Sequence, residues 1–412
     1  MRQSLERIGA NKVVLALSAA RMGDAVGNSI LFVIIPLYVA KLPAPWFPLP
    51  ETVRAGLLIS LYGLVNALLQ PFAGAMVDRF NRRKVFIQGG LCLMGASTFA
   101  YVFAGKFTDI LVLRILQGMG LALTVTASIA IMAISTDRKT RGGSMGVFST
   151  SRMMGLSAGP LLGGYLYDNF GFNAAFYAGT FFVALAVVLV QLWIREGRVP
   201  VHAAVERPAF KVIDRELLSP GIIGAGLAIF IMAAAFSMIT PLEKQFNIRL
   251  HESAFSFGLA FSAVMFSRLL FQIPLGRLSD HFGRKPLIIA GLILMAPVTG
   301  LLGEAATTLQ LIALRAVQGI GSAGIAAPAM ALAADLSKAG GEGRQMSITT
   351  MGFGLGISVG PLLAGVLAVF SWRLPFFIVG LMLLAGVWIV HRYVPETIVR
   401  HAGPQEPPAK NS

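Results

Sequence analysis

Near its start the chain reads "ALSAARMGDAVGNSILFVIIPLYV", an apolar run broken by Arg21, Asp24 and Asn28. At 100° per residue these three fall within about 60° of one another on a helix, so they share one polar face. In hydrocarbon, an Asp or Arg at mid-helix costs about 2.5–3.5 kcal/mol on insertion scales, which turns such a face toward a protein interior. Asp24 is the one acid well inside any predicted span, and it is the leading candidate for binding and releasing a proton. Burial favours the neutral acid, whereas a guanidinium three residues away favours the carboxylate. A carrier needs that balance to change with conformation. The alternative is a permanent Arg21 to Asp24 pair that only satisfies a buried charge, as acid–base pairs one helical turn apart often do.

Other polar residues fall into strips. Arg114, Gln117, Thr124 and Ser128 line one face of a later apolar run, and Arg315, Gln318 and Ser322 repeat the arrangement further on. Arg114 either biases Asp24 or holds neighbouring helix ends by hydrogen bonds. Arg152 and Arg268 also lie near span interiors, where they can bind an anionic substrate or reach an interface with their long stems. For a substrate cavity the informative residues are Asn28, Tyr62, Asn66, Gln70, Gln117, Phe236, Met238, Met265, Arg268 and Gln272. Met and aromatic side chains adapt to varied apolar ligands, although each of these residues also suits ordinary bundle packing.

The elements that must position these residues are membrane helices. Of 412 residues, 56% are hydrophobic and 13% charged, and the mean hydropathy is +0.73. Apolar stretches of about 20 residues recur, each long enough to span roughly 30 Å of hydrocarbon. They are continuously apolar, without the alternation of a barrel strand. About twelve spans are expected, starting near Lys12, Thr52, Lys84, Phe107, Gly143, Phe172, Leu217, Glu252, Arg284, Ala306, Met346 and Trp372. "VVLALSAA" is read as part of an uncleaved first helix rather than a signal peptide.

The net charge of +15 would raise the question of nucleic acid in a soluble protein. Here its placement speaks for topology. With the N-terminus inside, roughly 23 Lys and Arg fall in cytoplasmic segments, 6 in external ones and 5 within spans. That bias puts both termini in the cytoplasm, with the protein multi-pass in the cell (inner) membrane. Cys92 is the only cysteine, so no intramolecular disulfide forms. The five histidines lack metal-ligand spacing, and no metal or cofactor is expected.

The sequence is also duplicated. Gly74, Asp78, Phe80 and Arg82 in "GAMVDRFNRRK" answer to Gly276, Asp280, Phe282 and Arg284 in "GRLSDHFGRK", each 202 residues later. "LRILQGMG" around Arg114 matches "LRAVQGIG" around Arg315, and "GPLLGG" at Gly159 matches "GPLLAG" at Gly360, both at 201. Two pseudo-symmetric six-helix bundles follow, at 1–197 and 217–396, joined by a polar cytoplasmic linker at 198–216 and followed by a disordered tail at 397–412. Parallel repeats of this kind commonly hold a substrate site at their interface and expose it alternately by rocking.

With these blocks in view, the chain resembles the major facilitator superfamily over nearly its whole length. "GAMVDRFNRRK" looks like that family's signature loop between its second and third helices, and "GRLSDHFGRK" like the echo between the eighth and ninth. "GLSAGPLLGG" in the fifth span resembles the G-x-x-x-G-P-x-x-G-G pattern of proton-coupled exporters, and "LRILQGMG" a motif of the same drug/proton antiporter branch. The resemblance implies a gate in which Asp78, with Arg79 and Arg82, engages the eleventh helix when the transporter faces outward. Gly74, Gly276, Asp280 and Arg284 belong to the same device. It also implies that Arg114 assists Asp24 and Arg21 in proton coupling. Physically, an acid among guanidiniums can join two halves by charge-assisted hydrogen bonds in one state and release them in another. Gly155, Gly159 and Gly163 with Pro160, and Gly356 and Gly360 with Pro361, form small-residue grooves that permit close helix approach and bending.

No phosphate-binding G-x-x-x-x-G-K-[ST] loop occurs, and no nucleophile–base arrangement stands out. The sequence therefore points away from an enzyme, and the resemblance implies proton-coupled export of small amphipathic or drug-like compounds, by a monomer in the lipid bilayer with no nucleic acid partner. The alternatives are export of a lysolipid or glycolipid and a non-transporting membrane receptor.

Overall fold

The computed structural model describes residues 11–80, 82–136, 141–194, 219–336 and 342–397. Helix follows helix: α1 Lys12–Val39, α2 Glu51–Phe80, α3 Arg83–Ala100, α4 Phe107–Ser135, then one long segment Arg141–Trp193, α7 Pro220–Ser237, α8 Ala254–Phe282, α9 Arg284–Leu301, α10 Thr308–Asp335, α11 Glu342–Phe370 and α12 Leu374–Tyr393. The long segment breaks at Gly171, where φ is 81° and ψ −173°. Only glycine adopts that conformation readily. The break separates α5 (141–170) from α6 (172–193). Beyond its end, α7 continues through a 3₁₀ turn at Thr240–Leu242 into a short helix, Glu243–Leu250.

Among the described residues eleven helices are long and apolar enough to cross a membrane. One of them has 51 residues, about 75 Å at 1.5 Å per residue, more than twice the hydrocarbon thickness. Read as two crossings hinged at Gly171, it brings the number to the expected twelve. Side-chain caps start several helices: Asn11 accepts from Val14 N at 2.9 Å, Ser219 from Ile222 N at 3.2 Å and Thr307 from Gln310 N at 3.2 Å. Large apolar side chains such as Phe181, Phe377 and Trp388 stand exposed on the outside, which is stable against lipid and not against water.

The duplication in sequence is also a duplication in packing. On α1, Ser29 donates to the carbonyl of Gly155 on α5 at 3.2 Å; on α7, Ser237 donates to that of Gly356 on α11 at 3.5 Å. A Cβ added to Gly159 would stand 2.6 Å from the carbonyl oxygen of Val26. Gly356 and Gly360 meet the backbone at Phe230 and Ala234 just as tightly. Two seams join the halves, α2 along α11 and α5 along α8. They correspond as well: Gly56 abuts the carbonyl of Pro361, and Gly258 that of Pro160.

The face where α1 begins and α12 ends is here the terminal face, and its opposite the far face. The linker placed at 198–216 lies outside the described residues, as does the tail expected at 397–412 except for Thr397.

Candidate functional site

The polar face of α1 turns inward. Asp24 is 1% exposed and Arg21 7%, and the two form an ion pair within one helical turn. Pairing is what makes either charge tolerable so deep in a bundle. Beside them a small cavity, with room for about one water, is lined by Leu17 and Ala20 of α1, Ile87 and Leu91 of α3, and Thr124 and Ser128 of α4. The cavity therefore belongs to the interior of the first half, to one side of the seam between halves. One turn further, Asn28 donates to the Tyr62 hydroxyl on α2 at 2.8 Å, and Arg114 stacks on the same ring, 5.5 Å from its centroid.

Arg114 and Arg315 are both fully buried and head matching networks. Arg114 donates to Gln117 at 3.2 Å, and Gln117 donates to Thr98 at 2.8 Å. Arg315 donates to Gln318, and Gln318 to Thr299 at 3.0 Å. Each triad ties the fourth helix of its half to the third. Gln117 also accepts from Tyr101 at 2.8 Å, so its amide is engaged inside its own half. In the second half Arg315 additionally donates to the carbonyl of Phe236 at 3.2 Å and stacks on Phe236 and Phe261. Phe236 and Met265 are buried in the large apolar core that spans both halves.

At the seam, Arg152 of α5 and Arg268 of α8 approach one ring, that of Phe353 on α11, at 5.5 and 5.4 Å from its centroid. Arg268 is 7% exposed. Buried oxygens of Asn28, Asn66 and Gln272 have no hydrogen-bond partner, and Gln70 is half-buried. Unsatisfied buried polar atoms are what a ligand or water would complete.

The halves are fastened at the far face. Asp168, near the end of α5, accepts from the backbone N–H of Ala254 at 3.2 Å and of Phe255 at 2.8 Å, capping the N-terminus of α8. Thr52 donates to the carbonyl of Gly365 at 2.9 Å, and Lys244 pairs with Glu51 at 2.7 Å. Deeper in, Ser157 donates to the carbonyl of Ser262 at 3.4 Å. At the terminal face, Arg284 with Asp280 and Asp335, and Lys285 with the carbonyl of His391, bond within the second half.

The expected gate residues sit at that terminal face. Arg284 pairs with Asp280 and with Asp335, the latter at 3.3 Å, all within the second half. Arg79 and Arg82 are exposed. Asp78 lies on the last turn of α2, and its side chain falls outside the described residues. A Cβ at Gly74 would meet Thr126 at 3.4 Å, and one at Gly276 would meet Ala327 at 3.7 Å. Both are ordinary van der Waals separations, in contrast to Gly159.

Sequence reasoning missed three residues. Glu243 is 0% exposed, and both its carboxyl oxygens lack a partner, so Asp24 is not the only buried acid within a span. The signal was weak because "TPLEKQF" reads as a loop, with Pro241 and two charges ending the apolar run. Asp168 lies in "YDNFGF", where no spacing links it to the distant start of α8. Phe353 is a lone aromatic in an apolar run, with no pattern tying it to Arg152 or Arg268. No group of His, Cys, Asp and Glu suited to a metal occurs among the described residues.

Known proteins share both the sequence and the fold. The chain is 25% identical over 317 residues to the multi-drug resistance efflux pump PmrA of Streptococcus pneumoniae, covering 76% of this chain and 79% of that one. It is 26% identical over 376 residues to a PmrA homolog of Lactococcus lactis, covering 90% and 91%. Multidrug resistance protein MdtG of Klebsiella pneumoniae is 26% identical over 370 residues, covering 87% and 88%. Among solved structures, a bacterial homolog of the human lysosomal transporter Spinster, inward-facing and occupied, superposes with a TM-score of 0.76 at 15% identity, over 92% of this chain and 95% of that one. A D-xylose–proton symporter gives 0.75 at 17%, over 93% and 98%. The Major Facilitator Superfamily model matches residues 17–253 and again 225–411, the second match restarting on the repeated half. A duplicated twelve-helix bundle with inward-turned charges, matched over nearly its full length, belongs to the Major Facilitator Superfamily, and this chain is a member of that transporter family.

Proposed function

We propose that the protein is a proton-coupled exporter of small amphipathic compounds, working as a monomer by alternating access in the cell (inner) membrane. The halves are 1–197 and 217–396, with 198–216 as linker and 397–412 as tail. The terminal face is cytoplasmic, in keeping with the excess of Lys and Arg there. The fastenings between the halves at the far face fit the stage that loads substrate from the cytoplasm. Asp24 carries the proton, Arg21 holds its carboxylate when the proton leaves, and Arg114 fixes Tyr62 and the neighbouring helices. The gate residues Asp78, Arg79, Arg82, Asp280 and Arg284 join the halves at the cytoplasmic face in the outward stage.

The observation that carries this reading is the Arg21–Asp24 pair, buried in the membrane interior beside a water-sized cavity. Intramembrane ionisable residues are expensive and mark ion pathways by default. The names of the PmrA relatives, multi-drug resistance efflux pumps, supply the direction and the substrate breadth. Flux of a compound panel in proteoliposomes, with and without a pH gradient, tests it. Wild type is expected to drive substrate against its gradient when protons flow inward, and Asp24→Asn to lose that response. Gradient-driven flux that survives Asp24→Asn removes Asp24 from the mechanism, and flux with no response to the gradient in wild type removes coupling.

A further inference from the structure

The seam between the halves carries more positive charge than its neighbours neutralise. Arg152 and Arg268 come from opposite halves, yet their guanidiniums lie 5.5 and 5.4 Å from the centroid of one ring, Phe353. Neither makes an ion pair or hydrogen bond with a described residue, and the Nε of Arg268 is buried without a partner. The nearest acid is Asp24. It is within electrostatic reach of Arg152 but is held by Arg21. Of the other acids whose side chains are described, Glu243 is buried where α7 gives way to its short following helix, with Asp168 as its charged neighbour, and the rest lie toward helix ends or in loops. Stacking on one phenyl face compensates a buried guanidinium only in part, and two guanidiniums on one ring repel each other.

Resting on the transport reading above, we infer that this dibasic seam is the head-group site and that the preferred substrates are amphipathic organic anions, bearing a carboxylate or similar oxyanion. The anion lies between Arg152 and Arg268, where fork-shaped donors match a planar carboxylate. The apolar body packs against the ring of Phe353, which both guanidiniums already flank. Because the two arginines belong to different halves, such an anion bridges α5 and α8. The proton pair and the head-group site use different guanidiniums: Arg21 keeps Asp24, and two bases are left for the ligand. An amphipathic cation, by contrast, would meet two unneutralised positive charges at the same place.

Three probes with one phenylbutyl body test the inference: 4-phenylbutyrate, its neutral amide, and phenylbutyl-trimethylammonium. Binding to the full-length protein in nanodiscs is measured by equilibrium dialysis with labelled probe, separately from proteoliposome flux. The carboxylate is expected to bind at least about tenfold more tightly than the amide, and the ammonium most weakly. In Arg152→Gln and Arg268→Gln the carboxylate-to-amide ratio is expected to collapse toward one, and in Arg268→Lys to recover in part. A folding defect lowers both affinities and leaves the ratio unchanged. Equal binding of the three probes, preference for the ammonium, or a ratio unmoved by both glutamine variants overturns the inference. If the ratio behaves as stated but no probe is transported, the head-group site stands and the export reading falls; if amide and ammonium are exported without anion preference, the reverse holds.

Discussion

The far-face seal makes a quantitative claim about which state the protein occupies. Asp168 caps the first turn of α8 across the seam, accepting from two backbone N–H groups at 3.2 and 2.8 Å. These are donors that a helix N-terminus leaves orphaned. Losing a capping side chain costs about 0.5–2 kcal/mol, and losing a negative charge at the positive end of the helix dipole removes roughly 0.3–1 more. Asp168→Ala is therefore expected to weaken the sealed state by about 1–3 kcal/mol, a shift of roughly 5–150-fold in the equilibrium between sealed and open far faces. The second link, Lys244 to Glu51, has both side chains 30–39% exposed, and exposed pairs are worth about 0–1 kcal/mol. Glu51→Gln should then shift the equilibrium several-fold less. Spin labels on Gly105→Cys and Ala306→Cys, with Cys92 replaced by Ser, place one reporter on each half at the far face. Electron–electron distance distributions in nanodiscs should show a long-distance population that grows in Asp168→Ala and only slightly in Glu51→Gln. An unchanged distribution in Asp168→Ala, or a larger response to Glu51→Gln, would refute the assignment of the seal to the Asp168 cap.

Other outcomes follow from the same geometry. Arg21→Gln leaves Asp24 buried without its partner and is expected to destabilise the protein by about 3–5 kcal/mol, whereas the double variant Arg21→Gln/Asp24→Asn should lose much less; equal losses in thermal melts would mean the pair is not buried as described. Gly159→Ala drives a methyl into the α1 backbone and is expected to cost about 1–3 kcal/mol, while Gly74→Ala, with room for its methyl, should melt as wild type and yet slow transport if closure at the terminal face needs that space. A melting temperature lowered equally by both substitutions counts against this distinction. Glu243→Gln removes an unpartnered buried acid without changing its shape, so the melting temperature is expected to hold or rise; a clear fall would reveal a partner for the carboxylate.

Span count and repeat were legible because both are written in one dimension. An apolar run of about 20 residues has few alternatives in a bilayer, and matching blocks at steps of 201 and 202 appear again as matching contacts, Gly56 to Pro361 and Gly258 to Pro160. Arg21 and Asp24 were legible because a helical step of three puts them on one face. What the sequence did not carry was any relation between distant helices. Arg152, Arg268 and Phe353 are separated by more than 80 residues at each step, and only the seam brings them to one ring. Glu243 was hidden by a local rule: a proline and charges at the end of an apolar run usually mean a loop, and here the chain turns through Thr240–Leu242 and stays buried.

The two halves share a frame but not a chemistry, and that asymmetry is what the proposed proton-coupled cycle requires. Arg114–Gln117–Thr98 and Arg315–Gln318–Thr299 are the same device twice, and Ser29 and Ser237 anchor their helices alike. If these serines are aligned, Asp24 of α1 falls opposite Met232 of α7, a helix without a single charged residue from Pro220 to Ser237. If Asp24 carries the proton as proposed, its titration changes the charge of one half only. Two equivalent acids would bias both halves together and leave their relative preference unchanged. Placing Asp at position 232 in a protein that keeps Asp24 tests this argument: Met232→Asp is expected to fold poorly unless an arginine is supplied one turn away, as Arg21 is for Asp24. With the supplied arginine, a transport rate that still responds to the pH gradient as wild type does would show that asymmetry between the halves is not what couples the proton.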